Sequence, residues 1–121
     1  MPELTDVFKA LSDRTRLRLL KLLASGEEYC VCELVDALQV RQYTVSRHLS
    51  ILRGLGLVQV RGEGNLACYR LVRPQAEPLQ ELFTWLADCL DGEEFQTDRR
   101  HLEERCCLRL DGKCVKVVGY E

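Results

Sequence analysis

The apolar repeat of this chain changes period once, and that change limits the folds open to it. Leu4, Val7, Phe8 and Leu11 recur at helical spacing, as do the leucines at 17, 19, 20, 22 and 23 and then Val45, Leu49 and Leu52. After Gly56 the pattern alternates instead, in LVQV (57–60) and ACYRL (67–71), on either side of the glycine-rich RGEGN. A period near 3.6 marks helices, a period of 2 marks strands, and a glycine tip between two strands marks a hairpin. The order is therefore helix over 3–11, a central helix capped by Ser12 or Asp13 and running to Ala24, helix over 31–38, turn, helix over 42–53, then hairpin. Two helices joined by a short turn and followed by a hairpin predict a mainly α fold with a two-stranded β-wing, a winged helix-turn-helix. Pro74 and Pro78 interrupt the chain before a helix over 79–90, with Leu79, Leu82, Phe83, Leu86 and Leu90 on one face. Residues 1–92 read as one winged helix-turn-helix domain. Residues 93–121 read as a polar, cysteine-containing extension, of which 93–105 is an exposed or mobile helix.

The second helix of such a pair enters the major groove. Here it shows Tyr43, Thr44, Ser46, Arg47 and Ser50 opposite its apolar side. Hydroxyls and guanidinium groups suit phosphates and base edges. Arg61 and the RGEGN tip are placed to reach the neighbouring backbone or minor groove. Net charge is only −2, but it is unevenly spread. Residues 41–73 hold six arginines and one acid, a net of +5, while 74–121 hold six bases and eleven acids, a net of −5. A basic middle predicts a face for a polyanion, which here is double-stranded DNA. The opening MPELTDVFKALSD has no apolar run and no stretch reaches the roughly 18 apolar residues of a membrane span, so a cytoplasmic protein with no membrane partner is expected. Seven cysteines (30, 32, 68, 89, 106, 107 and 114) in a reducing compartment favour metal or thiol chemistry over a disulfide framework. No C-x-x-C in a strand context supports a thiol-disulfide enzyme, and no enzyme is expected.

The runs FKALSDRTRLRLLKLL, CVCEL, VSRHLSILRGLGLV and RGEGNLACYRL together resemble the ArsR/SmtB family of metal-responsive repressors, and within it the arsenic-responsive branch. The resemblance spans residues 4–72. It implies a homodimeric winged-helix repressor that occupies operator DNA until a bound metalloid releases it, with dimers formed by the first and post-wing helices. It places Gln42, Thr44, Ser46, Arg47 and His48 in the recognition helix. It makes Cys30 and Cys32 the arsenic motif, with trivalent arsenic or antimony as inducer and no organic cofactor. Where the pattern often carries a third cysteine, this chain has Val35. A third sulfur could come from Cys106, Cys107 or Cys114, or a carbon substituent on the metalloid could replace it. The N-terminal cysteines of the cadmium and lead branch and the post-wing histidines of the zinc branch are missing.

Thiolates select soft ions. On a regular helix Cys30 and Cys32 would point about 200° apart, so gripping one atom requires an extended helix start. Cys30, Cys32, Cys106 and Cys107 are the candidate ligands. Cys68 in the wing strand and Cys89 on the post-wing helix read as packing. Two alternatives keep the same fold: a thiol redox switch and a cadmium- or lead-responsive regulator. A winged-helix interaction module without DNA binding is a further reading.

Overall fold

A computed structural model of the chain describes residues 2–73 and 75–112. Helix α1 (Leu4–Leu11) leads into α2 (Arg14–Leu23), which starts where the Asp13 side chain accepts the Arg16 amide at 3.0 Å. That bond satisfies one of the amide donors a helix start leaves open. The leucines of α2 cover so wide a face that Leu19, Leu20, Leu22 and Leu23 are all buried, at the centre of the core. Helix α4 (Gln42–Gly54) packs on α2, and α3 (Val31–Leu38) packs on α4. Gln39 ends α3 in the left-handed conformation, φ 57° and ψ 40°, and turns the chain into α4. From α4, Val45, Leu49 and Leu52 enter the core at the spacing the sequence predicts.

Strands β2 (Val58–Glu63) and β3 (Leu66–Leu71) form the wing, antiparallel, with Val60 opposite Tyr69. Gly64, at φ 62°, supplies the backbone that the tip needs. The sheet has a third strand that the sequence reading does not contain. Residues Tyr29–Cys30 form β1 and pair with the other edge of β3, Tyr29 opposite Tyr69 and Cys30 opposite Cys68. Two residues are too few to show a period, so only tertiary pairing reveals the strand. The architecture is a winged helix-turn-helix with a three-stranded sheet.

Helix α5 (Glu77–Cys89) buries Leu79 and Phe83 but leaves Trp85 61% exposed. Leu4 and Phe8 of α1 are exposed as well. Helix α6 (Glu93–Cys106) differs from the exposed or mobile helix expected of so polar a segment. It packs along α3 and against α2. Leu102 is its apolar anchor, and two buried ion pairs hold its polar side down. Arg18 of α2 donates to both oxygens of Asp98 at 2.8 Å, and Arg105 donates to Asp36 of α3 at 2.6 Å. Paired charges can be buried where single ones cannot. No helix among the described residues is long and apolar enough to cross a membrane.

Candidate functional site

The recognition helix is α4. Gln42, Tyr43 and Arg47 are exposed, and Thr44 and Ser46 are half-buried. Tyr43 and Arg47 lie on the side away from Val45, Leu49 and Leu52, Thr44 and Ser46 flank it, and Gln42 is exposed because it opens the first turn. His48 is turned inward instead. Its Nδ1 lies 3.0 Å from Arg16 Nη1, and its Nε2 lies 3.9 Å from Asp13 Oδ1. Accepting from a guanidinium requires a neutral ring with its proton on Nε2. Burial, followed by the charges of Arg16 and Arg47, pushes the His48 pKa down against the pull of Asp13, which agrees with that state. His48 thus ties α4 to the start of α2. On the wing, Arg61 is exposed but engaged. Its Nη2 and Nε donate to Glu28 at 2.5 and 3.1 Å, and this pairing lowers the Glu28 carboxyl below its ordinary range.

The thiols gather behind this face, around the first turn of α3. Cys30 is the N-cap, in extended backbone (φ −75°, ψ 155°). It forms a capping box with Glu33: the sulfur accepts the Glu33 amide, and Glu33 Oε1 accepts the Cys30 amide at 3.0 Å. Glu33 is fully buried. Burial alone would raise its carboxyl, but the guanidinium of Arg109, donating at 2.6 and 2.8 Å, and the Cys30 amide outweigh it, and the net shift is downward. Arg109 also stacks over the Tyr29 ring at 5.5 Å. Cys106, at the end of α6, points its sulfur at Glu33 Oε2, 3.8 Å away. Burial first, then the Glu33 carboxylate, pushes that thiol up to about 11. Cys32 is the second residue of α3, where Arg105 Nη2 donates to its sulfur at 3.6 Å.

The four cysteines singled out in the sequence are therefore near one another but not convergent. Cys32 opens into a cleft of about 310 Å³, lined also by Gln42 and Ser46 of the recognition helix, Asn65 of the wing tip, Asp36 and Arg105. Cys106 and Cys107 open into another, of about 380 Å³, beside Tyr29 and Arg109. Among the described residues no three Cys, His, Asp or Glu side chains stand ready to hold an ion. Cys114 lies outside the described residues. The sulfurs suit a soft metalloid, but binding one requires movement at the start of α3. The sequence reading requires an extended segment through both Cys30 and Cys32; Cys30 is extended, but Cys32 is already helical. It missed Glu33, although Cys30-x-x-Glu33 has capping-box spacing. It also missed Arg105, Arg109 and Glu28, which carry no local signal. Cys68, set aside as packing, lies opposite Cys30.

An exposed polar helix leading a wing, on a core of leucine-rich helices, defines a DNA-binding transcriptional regulator of the winged-helix class. The chain belongs to the arsR family of bacterial regulatory proteins, whose match covers residues 13–60. It is 45% identical over 92 residues to the arsenic resistance transcriptional regulator ArsR2 of Pseudomonas putida, covering 69% of this chain and 79% of that protein. It is 42% identical over 77 residues to an uncharacterized HTH-type transcriptional regulator of Methanocaldococcus jannaschii, covering 64% and 86%. Among solved structures it is similar to HlyU from Vibrio cholerae, with a TM-score of 0.62 and 29% identity, covering 71% of this chain and 89% of that one.

Proposed function

We propose that the chain is a homodimeric repressor released from operator DNA when cysteine sulfurs at the start of α3 bind trivalent arsenic or antimony. One observation carries this reading. Helix α6 brings Cys106 against Glu33, the carboxylate that caps Cys30, and sets Arg105 on Cys32. Three sulfurs from two distant segments thus surround one helix start, and the cleft beside Cys32 reaches Gln42 and Ser46 of the recognition helix. Thiols need not be ionised beforehand. Each sulfur–arsenic bond formed with arsenous acid displaces one hydroxide, which leaves as water with the thiol proton, so the raised pKa of Cys106 is no barrier.

Magnitudes indicate what must move. Shifting operator occupancy from 99% to 1% takes about 5.5 kcal/mol of differential binding. Breaking the Cys30 cap contributes only about 1 kcal/mol. Release must therefore also disturb the Glu33–Arg109 pair and the packing of α3 on α4. The similarity to the arsenic regulator of Pseudomonas putida supports the choice of inducer. The exposed Leu4, Phe8 and Trp85 on α1 and α5 support the dimer.

The test is fluorescence anisotropy of labelled operator DNA with reduced protein, titrated with arsenite and with cadmium. Arsenite should release the wild type, leave Cys30→Ser bound, and act more weakly on the Cys106→Ser/Cys107→Ser double variant. A wild type that arsenite cannot dislodge defeats the reading. The opening of Cys32 into a cleft favours a second reading, since an accessible thiol can be oxidised. Release by peroxide without metalloid would mark the chain as a redox switch.

A further inference from the structure

Besides Cys106, which reaches the same helix start through Glu33, Cys30 has Cys32 along the chain and Cys68 across the sheet. The β1–β3 register sets Cys30 directly opposite Cys68. Opposed residues in an antiparallel pair have Cβ atoms about 4.5–5.5 Å apart and side chains on one face of the sheet. Tyr29, Val58, Tyr69 and Leu71 take the other face and join the main core. Cys30 and Cys68 are buried as well, at 4% and 3% exposure. The two cysteines are a buried pair on the sheet's second face. Cys32 points elsewhere, into the cleft shared with Gln42 and Ser46.

We propose that Cys30 and Cys68 are the dithiol that seats a trivalent arsenical bearing one carbon substituent, with Cys68 supplying the second sulfur. This rests on the arsenical reading above and names its ligand class. A pair of sulfurs fills two valences, and no third Cys, His, Asp or Glu among the described residues completes a triad in this geometry. The third valence is therefore met by carbon. The step balances without any oxidant: an R–As(OH)2 molecule and two thiols give R–As bridged by two sulfurs plus two waters, and arsenic stays trivalent. Access is provided by β1 itself, which is an edge strand of two residues, so lifting it uncovers both sulfurs. The same row ends on the wing. Arg61 of β2 is the other cross-strand partner of Cys68, and its guanidinium is held by Glu28, two residues before Cys30. A bridge closed at one end of this row acts on Arg61 at the other.

The probe is phenylarsine oxide, which carries one aryl carbon, added to the reduced full-length chain. Two readouts are taken: the affinity of the one-to-one adduct, and the two peptides that arsenic joins after digestion. Wild type should give an adduct joining the Cys30 and Cys68 peptides. Cys68→Ser and Cys68→Ala should bind about 10²–10⁴-fold more weakly, because the second bond is no longer intramolecular. Cys89→Ser should bind as wild type, and operator binding without arsenical reports that each variant is folded. If Cys68 variants bind like wild type, or arsenic joins Cys30 to Cys32 or to the Cys106–Cys107 peptide, Cys68 is packing and this inference falls while the arsenical reading stands. The peptide map decides the question even if the Cys68 variants fold poorly. If wild type binds no arsenical, both fall.

Discussion

Glu33 is a fully buried carboxylate whose charge is balanced by one partly exposed arginine. Breaking a buried ion pair from one side leaves an uncompensated charge, at a cost of about 3–5 kcal/mol. Arg109→Ala should lie at the low end, about 3 kcal/mol, because the Arg109 side chain remains 24% exposed. The urea midpoint measures it. The sign with pH follows from the lowered carboxyl. The folded protein binds that proton less readily than the unfolded chain, so the stabilisation is present above the ordinary value of 4.5 and is lost as pH falls below it. Arg109→Ala should flatten that acid limb. Cys106 behaves oppositely. Its thiol is raised from 9.0 to about 11, so the folded state keeps a proton that the unfolded chain gives up, and stability drops as pH climbs through that interval. Because the thiolate is the reactive form, iodoacetamide at neutral pH should label exposed Cys107 well ahead of Cys106, as peptide mass mapping would show.

At the scale of elements, the wing is joined to the sensing segment by the β1–β3 pairing and by the Arg61–Glu28 ion pair. Glu28 neutralises Arg61, an arginine of the wing. Glu28→Gln should tighten operator binding and steepen its salt dependence, by at most about 0.9 in log–log slope for one phosphate contact, because an acid that competes with phosphate for Arg61 is removed. An unchanged slope would mean that Arg61 does not touch DNA. The elements differ in how far sequence reveals them. Helices α2 and α4 were legible because their burial is apolar and periodic, and the hairpin because RGEGN lies between alternating strands. Strand β1 was not, since two residues have no period. The docking of α6 was not either, since Asp98 and Arg105, which hold it, are residue types that ordinarily face water. Of the thiol region, sequence shows which cysteines are close along the chain. It does not show that Cys68 faces Cys30, because the partner of a two-residue strand is set by the fold around it.

Taken whole, the molecule separates its charges and its exposed apolar groups. The basic stretch from Arg41 to Arg73 supplies α4 and the wing, and the acidic remainder supplies α5 and α6. Phe8 at 57% and Trp85 at 61% exposure are large for isolated surface positions. If they are the dimer face, Phe8→Glu with Trp85→Glu should yield monomers by sedimentation and weaken operator binding sharply while leaving the helical circular-dichroism signal intact. A palindromic operator needs both half-sites occupied at once, so loss of the dimer removes the gain from linked binding, about 10²–10⁴-fold.

Gln39 gives the joint between α3 and α4 a built-in preference. An L-residue other than glycine or asparagine pays about 1–2 kcal/mol to remain left-handed. That cost is borne only while α3 and α4 keep their present angle, so the hinge is a loaded one that favours any geometry letting Gln39 relax. Gln39→Gly would unload it. The variant should be more stable to urea and should need more arsenite for half-release, although residue 39 is neither a ligand candidate nor part of the recognition helix.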